Sequence, residues 1–304
     1  MSETATETEA LNLPLCQFVQ MPGAGRICSL SRDDFSRTKH YLNVKIVCMN
    51  NLPIRFQEYI DFRGKYRKFF GEIGDYRKGE IEIVDDPKLF VKCEVSAAKQ
   101  MIEEGISERE AHERAKIGIR EENRWGVSVC EPVRLPTGAY GTFVRFISWG
   151  QLETGVAGMV IVPVTKDGKL LLLKNFRNAT RTWALEFPRG TKDPGESLQK
   201  TLEEEVEEEG GARLLAKPKL IGQITPDSGV LATRADVYFV RVEVYRRPFP
   251  QVTEAIKGIV FLTKEEFKKA IKEGQYKDKK GEVYDFSDGY TISAFAKASE
   301  RGLI

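Results

Sequence analysis

The chain has 304 residues, with 47 Lys and Arg against 45 Asp and Glu, 41% hydrophobic residues and 30% charged residues. This length allows two domains, the composition excludes disordered and fibrous classes, and the balanced charge argues against a protein whose main work is wrapping nucleic acid. The five cysteines (16, 28, 48, 93 and 130) include no close pair, excluding a disulfide framework and any CxxC zinc or redox motif. His40 and His112 are the only histidines, so a bound metal must be held mainly by oxygen. No apolar run approaches the roughly 18 residues of a membrane span. The acidic opening MSETATETEA has neither signal- nor transit-peptide character, and the expected compartment is the cytosol.

In chain order, residues 1–12 read as a disordered tail. Val44 to Met49 suggests a buried strand. Arg55 to Lys78 interleaves aromatics (Tyr59, Tyr66, Phe69, Phe70) with charges of both signs and reads as a mixed amphipathic element rather than a nucleic-acid stacking surface. Ile81 and Ile83, then Leu89 to Val95, suggest two short strands. Ser107 with Glu110 reads as a capping box opening a helix to about Glu122. The texture changes near Arg124, the expected domain boundary. This gives a tail at 1–12, an N-terminal α+β domain at 13–124 and a second domain at 125–304. Val127 to Leu135 and Thr142 to Trp149 read as strands. Gly158 to Val164 is an apolar strand in which Pro163 must sit where no donor is needed. Asp167-Gly168 turns it into LLLLK at 170–174. Trp183 to Phe187 is a strand that Pro188 breaks. Ser197 to Glu209 is a helix stopped by Gly210-Gly211. Strands follow at Lys219–Ile224, Asp236–Val244 and Lys257–Leu262. Thr263 and Glu266 cap a helix that Gly274 stops, and a last helix runs from about Gly289 to Arg301. His40 and His112 read as surface or capping residues. Cys48, Cys93 and Cys130 read as buried thiols.

The densest chemistry is EFPRGTKDPGESLQKTLEEEVEEEGGA at 186–212. Like charges three and four apart on one helix repel, so a Glu-rich helix is ordinarily just a solvated face. Three details point further. Glu205, Glu208 and Glu209 share a face and suit a hard divalent cation. Leu198, Leu202 and Val206 give the helix an apolar stripe on which to dock. Gly190 and Gly195 lie in the loop that enters it.

This segment resembles the Nudix box: Gly190, Glu196, Glu205, Val206, Glu208, Glu209, Gly211 and Ala212 stand at the motif's places. The resemblance covers roughly 125–304. It implies an α/β/α sandwich around a mixed sheet and metal-dependent hydrolysis of a nucleoside diphosphate linked to another group. It further implies Glu205, Glu209 and Glu208 as ligands of Mg²⁺ or Mn²⁺, together with the backbone carbonyl of Arg189, and Glu196 as loop support or an outer metal contact. LLLLKNFR and ALEFPRG are similar to runs in ADP-ribose pyrophosphatases, which implies substrate contacts at Arg177, Glu186 and Arg189. Pro226 stands about where that subfamily carries a marker proline. Glu254 resembles its mobile catalytic glutamate and is the best general-base candidate, with Glu205 and Glu208 beside it. DGYTISAFAKA at 288–298 resembles its closing helix, with Thr291 near the start. The same subfamily implies a homodimer.

One position departs from the motif. The family's Arg is Glu204 here, which removes a cation and adds repulsion. Arg189 or Arg181 could offset it, or the enzyme is weakened. Three readings therefore stand: a hydrolase acting on ADP-ribose or a related nucleotide sugar to give AMP and a sugar phosphate, a Nudix-like hydrolase with another substrate, and a non-enzymatic ligand-binding, sensor or scaffold module.

Overall fold

The computed structural model describes residues 52–191, 197–250 and 254–304. The expected tail, the strand at Val44–Met49, His40, Cys48 and Glu196 lie outside the described residues. Contacts divide the chain into Met1–Gln57 and Glu58–Ile304. Only the start of helix α1 (Ile54–Lys65) is described in the first unit.

The second unit holds two sheets. The smaller is antiparallel. Its central strand β3 (Gly126–Arg134) is flanked along its length by β4 (Tyr140–Ser148). Its other edge carries β2 (Gly118–Asn123) and then the short β1 (Glu82–Ile83). Arg124 lies in the tight turn of the β2–β3 hairpin, where Asn123 registers with Gly126. The change of sheet therefore falls between Ser148 and Gly158, after helix α5 (Trp149–Thr154), rather than at Arg124.

Two local expectations are corrected. Residues 89–95 open helix α3 (Phe90–Glu103), not a strand. The buried residues Phe90, Cys93, Ala97 and Ala98 follow a helical period, visible only when the window extends past Val95. The helix after Ser107 is α4 (Glu108–Arg114) and ends well before Glu122, and Ser107 makes no side-chain cap. Its end is set by Ile117, 1% exposed, whose amide donates to Glu94 Oε1 at 2.7 Å. Gly118 then takes φ +138, which reverses the chain into β2. His112 is exposed, and Cys93 and Cys130 are fully buried.

The aromatic–basic stretch is a core element. Tyr59, Phe62 and Phe70 are buried, and Phe62 and Phe70 pack with Val127, Val129 and Ile147. Beneath them lies Glu131, 2% exposed. Arg145 Nη2 donates to it at 2.9 Å and Arg145 Nε stands 2.5 Å from its other oxygen. The Tyr59 hydroxyl donates to it at 3.1 Å. Burial, then the Glu131 charge, holds the Tyr59 hydroxyl well above its usual range.

The larger sheet is mixed, with the path β10 (Lys219–Ile224), β11 (Ala235–Val244), β5 (Gly158–Thr165), β6 (Leu170–Arg177), β7 (Thr182–Glu186), β14 (Val283–Asp285) and β13 (Gln275–Lys277). Side pairings add β12 (Ile256–Leu262) to β6, β8 (Arg189–Gly190) to β5 and β9 (Ala212–Leu214) to β11. β11–β5 and β14–β7 are parallel and the rest antiparallel. The Ile161 amide donates to the Pro188 carbonyl at 2.9 Å. The Pro163 nitrogen, two residues on, faces the same edge beyond that last contact, where no donor is called for. Gly168, at φ +83, closes the β5–β6 hairpin.

The two-residue period of the strands builds both cores. Val160, Val162, Leu170 and Leu172 face one side, with Phe267 and Ala270 of α7 (Lys264–Glu273) and Ala294, Phe295 and Ala298 of α8 (Gly289–Glu300). Met159, Ile161, Leu171 and Leu173 face the other, with Leu202 and Val206 of α6 (Leu198–Glu208). This is the expected α/β/α sandwich. Both Leu202 and Val206 are at most 1% exposed, so each contributes about 1.5–3 kcal/mol of burial. Thr263 and Glu266 form the expected capping box, and Ser197 Oγ accepts from the Lys200 amide at 3.2 Å to cap α6. Gly274 takes φ +67 at the end of α7. Among the described residues no helix is long and apolar enough to cross a membrane.

Removing one partner of the Glu131–Arg145 pair should be costly. Arg145→Met is expected to lower unfolding free energy by about 3–5 kcal/mol, because it strands a buried carboxylate. Glu131→Leu combined with Arg145→Met should recover much of that loss. Chemical denaturation of the single and double variants checks both.

Candidate active site

The acidic helix α6 docks by Leu202 and Val206, and this turns Glu205 and Glu209 toward the loop that follows β7. Gly190 sits against Glu205: a Cβ there would stand 2.5 Å from Glu205 Oε1 and 2.6 Å from its Cγ. The absence of a side chain at Gly190 leaves the room that the Glu205 carboxylate occupies. Gly211 has a different reason. It takes φ +61, and a Cβ would meet the Arg246 carbonyl oxygen at 2.3 Å.

Glu209 is 5% exposed, and its Oε2 accepts from the Arg189 amide at 3.4 Å. Its carboxyl is held well above the usual carboxylate range, first by burial, then by the charges of Glu205 and Glu254. The Arg189 amide and Arg177 oppose that shift. Glu254 reaches this end of the sheet because the neighbouring Ala255 carbonyl accepts from the Phe176 amide at 3.0 Å, one residue before Arg177. Glu208 is half-buried on the adjoining flank of α6.

A ladder of ion pairs fixes the opposite wall. Glu186, 2% exposed, accepts from Arg177 Nε at 2.8 and 3.0 Å and pairs with Arg177 Nη2. Arg189 Nη2 stands 3.0 Å from Glu186 and 2.6 Å from Asp288 Oδ1. Asp288 Oδ2 accepts from the Thr291 amide at 2.8 Å, so the N-cap of α8 also holds the arginine. Thr291 Oγ1 in turn accepts from the Phe187 amide at 3.1 Å. The Arg189 guanidinium lies 4.7 Å from the Tyr290 ring centroid.

The structure thus brings together Glu186, Arg189, Arg177, Glu205, Glu209 and Glu254. Pro226 lies on the exposed loop between β10 and β11, outside this set. Glu204 is met by neither Arg189 nor Arg181. Arg189 is engaged with Glu186 and Asp288, and Arg181 pairs with the Asn178 side chain. Instead Lys200 Nζ, one turn back on α6, stands 3.4 Å from Glu204 Oε1. Sequence reasoning missed Asp288 and Tyr290 as site residues. In the sequence DGYT marks a helix start alone, and the Asp cap signal is the one feature that singles out Asp288.

The donors gathered here are oxygens, and three of them are carboxylates, two of which, Glu205 and Glu254, raise the proton affinity of the third, Glu209. This donor chemistry fits a hard divalent cation. Among the described residues, no group of three or more His, Cys, Asp and Glu side chains already stands in ligating geometry.

Comparison with known proteins gives one family match. No curated protein matches the chain. A crystal structure described as an ADP compounds hydrolase is similar at 16% identity and a TM-score of 0.47, over 62% of this chain and 95% of that one. The family model described as NUDIX domain matches residues 155–282, the span that holds the mixed sheet, α6 and the clustered carboxylates. Residues 155–282 therefore match a Nudix domain.

Proposed function

We propose that the Nudix domain hydrolyses the pyrophosphate of a nucleoside diphosphate linked to another group, with ADP-ribose or a related nucleotide sugar as substrate. The observation that carries this reading is the convergence of buried Glu209 with Glu205 and Glu254 opposite Arg177 and Arg189. Water attacks one phosphorus, the bridging P–O bond breaks, and AMP and a sugar phosphate leave. Glu254 accepts the proton of the attacking water, with Glu205 and Glu208 as the other acidic groups in reach of that role. Arg177 and Arg189 face the phosphates, and Glu186 orients both guanidinium groups.

Glu205, Glu209 and the Arg189 carbonyl would hold Mg²⁺ or Mn²⁺, with Glu208 beside them and Glu196 as an outer contact. When bound, the cation offsets phosphate charge and lowers the pKa of coordinated water. A second reading, a ligand-binding or sensor module, is favoured by Glu204. Its pairing with Lys200 leaves the box without its usual cation.

Hydrolysis of a panel of nucleoside diphosphate derivatives with Mg²⁺ or Mn²⁺ separates the two. Release of AMP from ADP-ribose is expected, lowered about 10²–10⁴-fold in Glu209→Gln. Ligand binding without turnover of any panel member would retire the hydrolase reading in favour of the sensor module. Gly190→Ala should displace the Glu205 carboxylate. It should cut turnover at least about tenfold while costing under about 1.5 kcal/mol of stability, because the clash is with the Glu205 side chain and not with backbone. Parallel kinetics and thermal melts test that split.

Glu209 also predicts a stability profile. Its pKa in the folded chain lies well above the usual 4.5, so the folded state binds more protons and loses stability as pH rises from that value through the raised pKa. Without metal, Glu209→Gln is expected to raise stability by about 1 kcal/mol at neutral pH, with the gain shrinking below pH 4.5. Adding Mg²⁺ should raise the Tm of the wild-type chain but not of this variant.

A further inference from the structure

A cavity of about 800 Å³ lies in the seam between the smaller sheet and the loop at 225–234. Helix α2 (Arg67–Phe70) and β4 line one side. The loop is stitched to β4 and α5. The Phe146 amide donates to the Val230 carbonyl and the Ala232 amide to the Phe146 carbonyl, each at 3.0 Å, and the Arg234 amide donates to Gln151 Oε1 at 2.7 Å. The walls are therefore held by backbone, not only by loose side chains.

The lining has a definite chemistry. Lys68 and Arg234 are exposed, and among the described residues neither side chain is paired with a carboxylate. Arg145, also in the lining, is committed to Glu131. Glu153 is the one acid of the lining, and its charge acts on Lys65. Phe143 is 36% exposed and has no ring partner among the described residues. At the back, Thr233 is 8% exposed. Its Oγ1 is buried against the Tyr290 hydroxyl, behind the lining. Tyr290 carries Arg189 against its ring, so this wall is shared with the catalytic centre.

We propose that the seam is a second ligand site, for a small anion bearing a planar ring, namely a nucleoside monophosphate. Its phosphate meets Lys68 and Arg234, and its ring lies on Phe143. The site does not depend on turnover by the Nudix domain.

Equilibrium dialysis of the full chain with radiolabelled AMP tests this. Lys68→Glu with Arg234→Glu should weaken one class of bound AMP by at least about tenfold, or about 1.4 kcal/mol. Arg177→Ala should leave that class intact. Phe143→Leu, which keeps the charges, should weaken the same class, and circular dichroism of each variant checks that these exposed substitutions preserve the fold. Adenosine and inorganic phosphate should each compete more weakly than AMP. Absence of AMP binding, binding indifferent to the seam variants, or binding wholly lost in Arg177→Ala would overturn the site. Phosphate competing as well as AMP would remove the ring from the proposal, and adenosine doing so would remove the anion.

Discussion

Glu209 is buried against two other carboxylates, and much of this end of the Nudix domain is arranged around that unfavourable charge. Burial and the neighbouring Glu205 and Glu254 both oppose its ionisation. Against these work the Arg189 backbone amide and the charge of Arg177. Arg189 is therefore a pivotal residue. Its amide meets Glu209, its guanidinium spans Glu186 and Asp288, and its strand registers with Val160 of the central sheet. The same concentration of charge that costs stability in the metal-free chain is what suits the site to a cation.

The sheet makes this arrangement rigid. Adjacent residues of β5 and β6 feed opposite cores, so the acidic helix and the closing helix α8 are packed on two faces of the same strands. Each then delivers one part of the site: α6 the carboxylates, and the N-cap of α8 the aspartate that holds Arg189. A shift of either helix would be resisted by close-packed aromatic and aliphatic side chains, including the stacked Phe267 and Phe295 rings at 4.1 Å.

Much of this was legible from local pattern. The spacing of Glu205, Glu208 and Glu209, the apolar stripe at Leu202 and Val206, the Asp-Gly hairpin and the Thr263 capping box are all read within a few residues, where helical and strand periods act directly. Errors arose where tertiary contacts overrode local signals. Residues 89–95 looked like a strand because their helical period completes only at Ala98. The helix after Ser107 was cut short because Ile117 is drawn into the core and Gly118 reverses the chain. The boundary near Arg124 fell inside a hairpin, since a change in texture does not reveal strand pairing across a turn.

By itself, the sequence determined the mixed α/β class, the Nudix box and the acidic face of one helix, because these depend on spacing along a single element. Only the tertiary structure decided that Glu254 acts on Glu209 and that Asp288 holds Arg189. It alone also formed the seam beside Thr233. The first two of these contacts, like the 104-residue link from Phe187 to Thr291, join segments far apart in the chain. Their closeness follows from strand order and from which face each helix covers, and no short-range pattern encodes either.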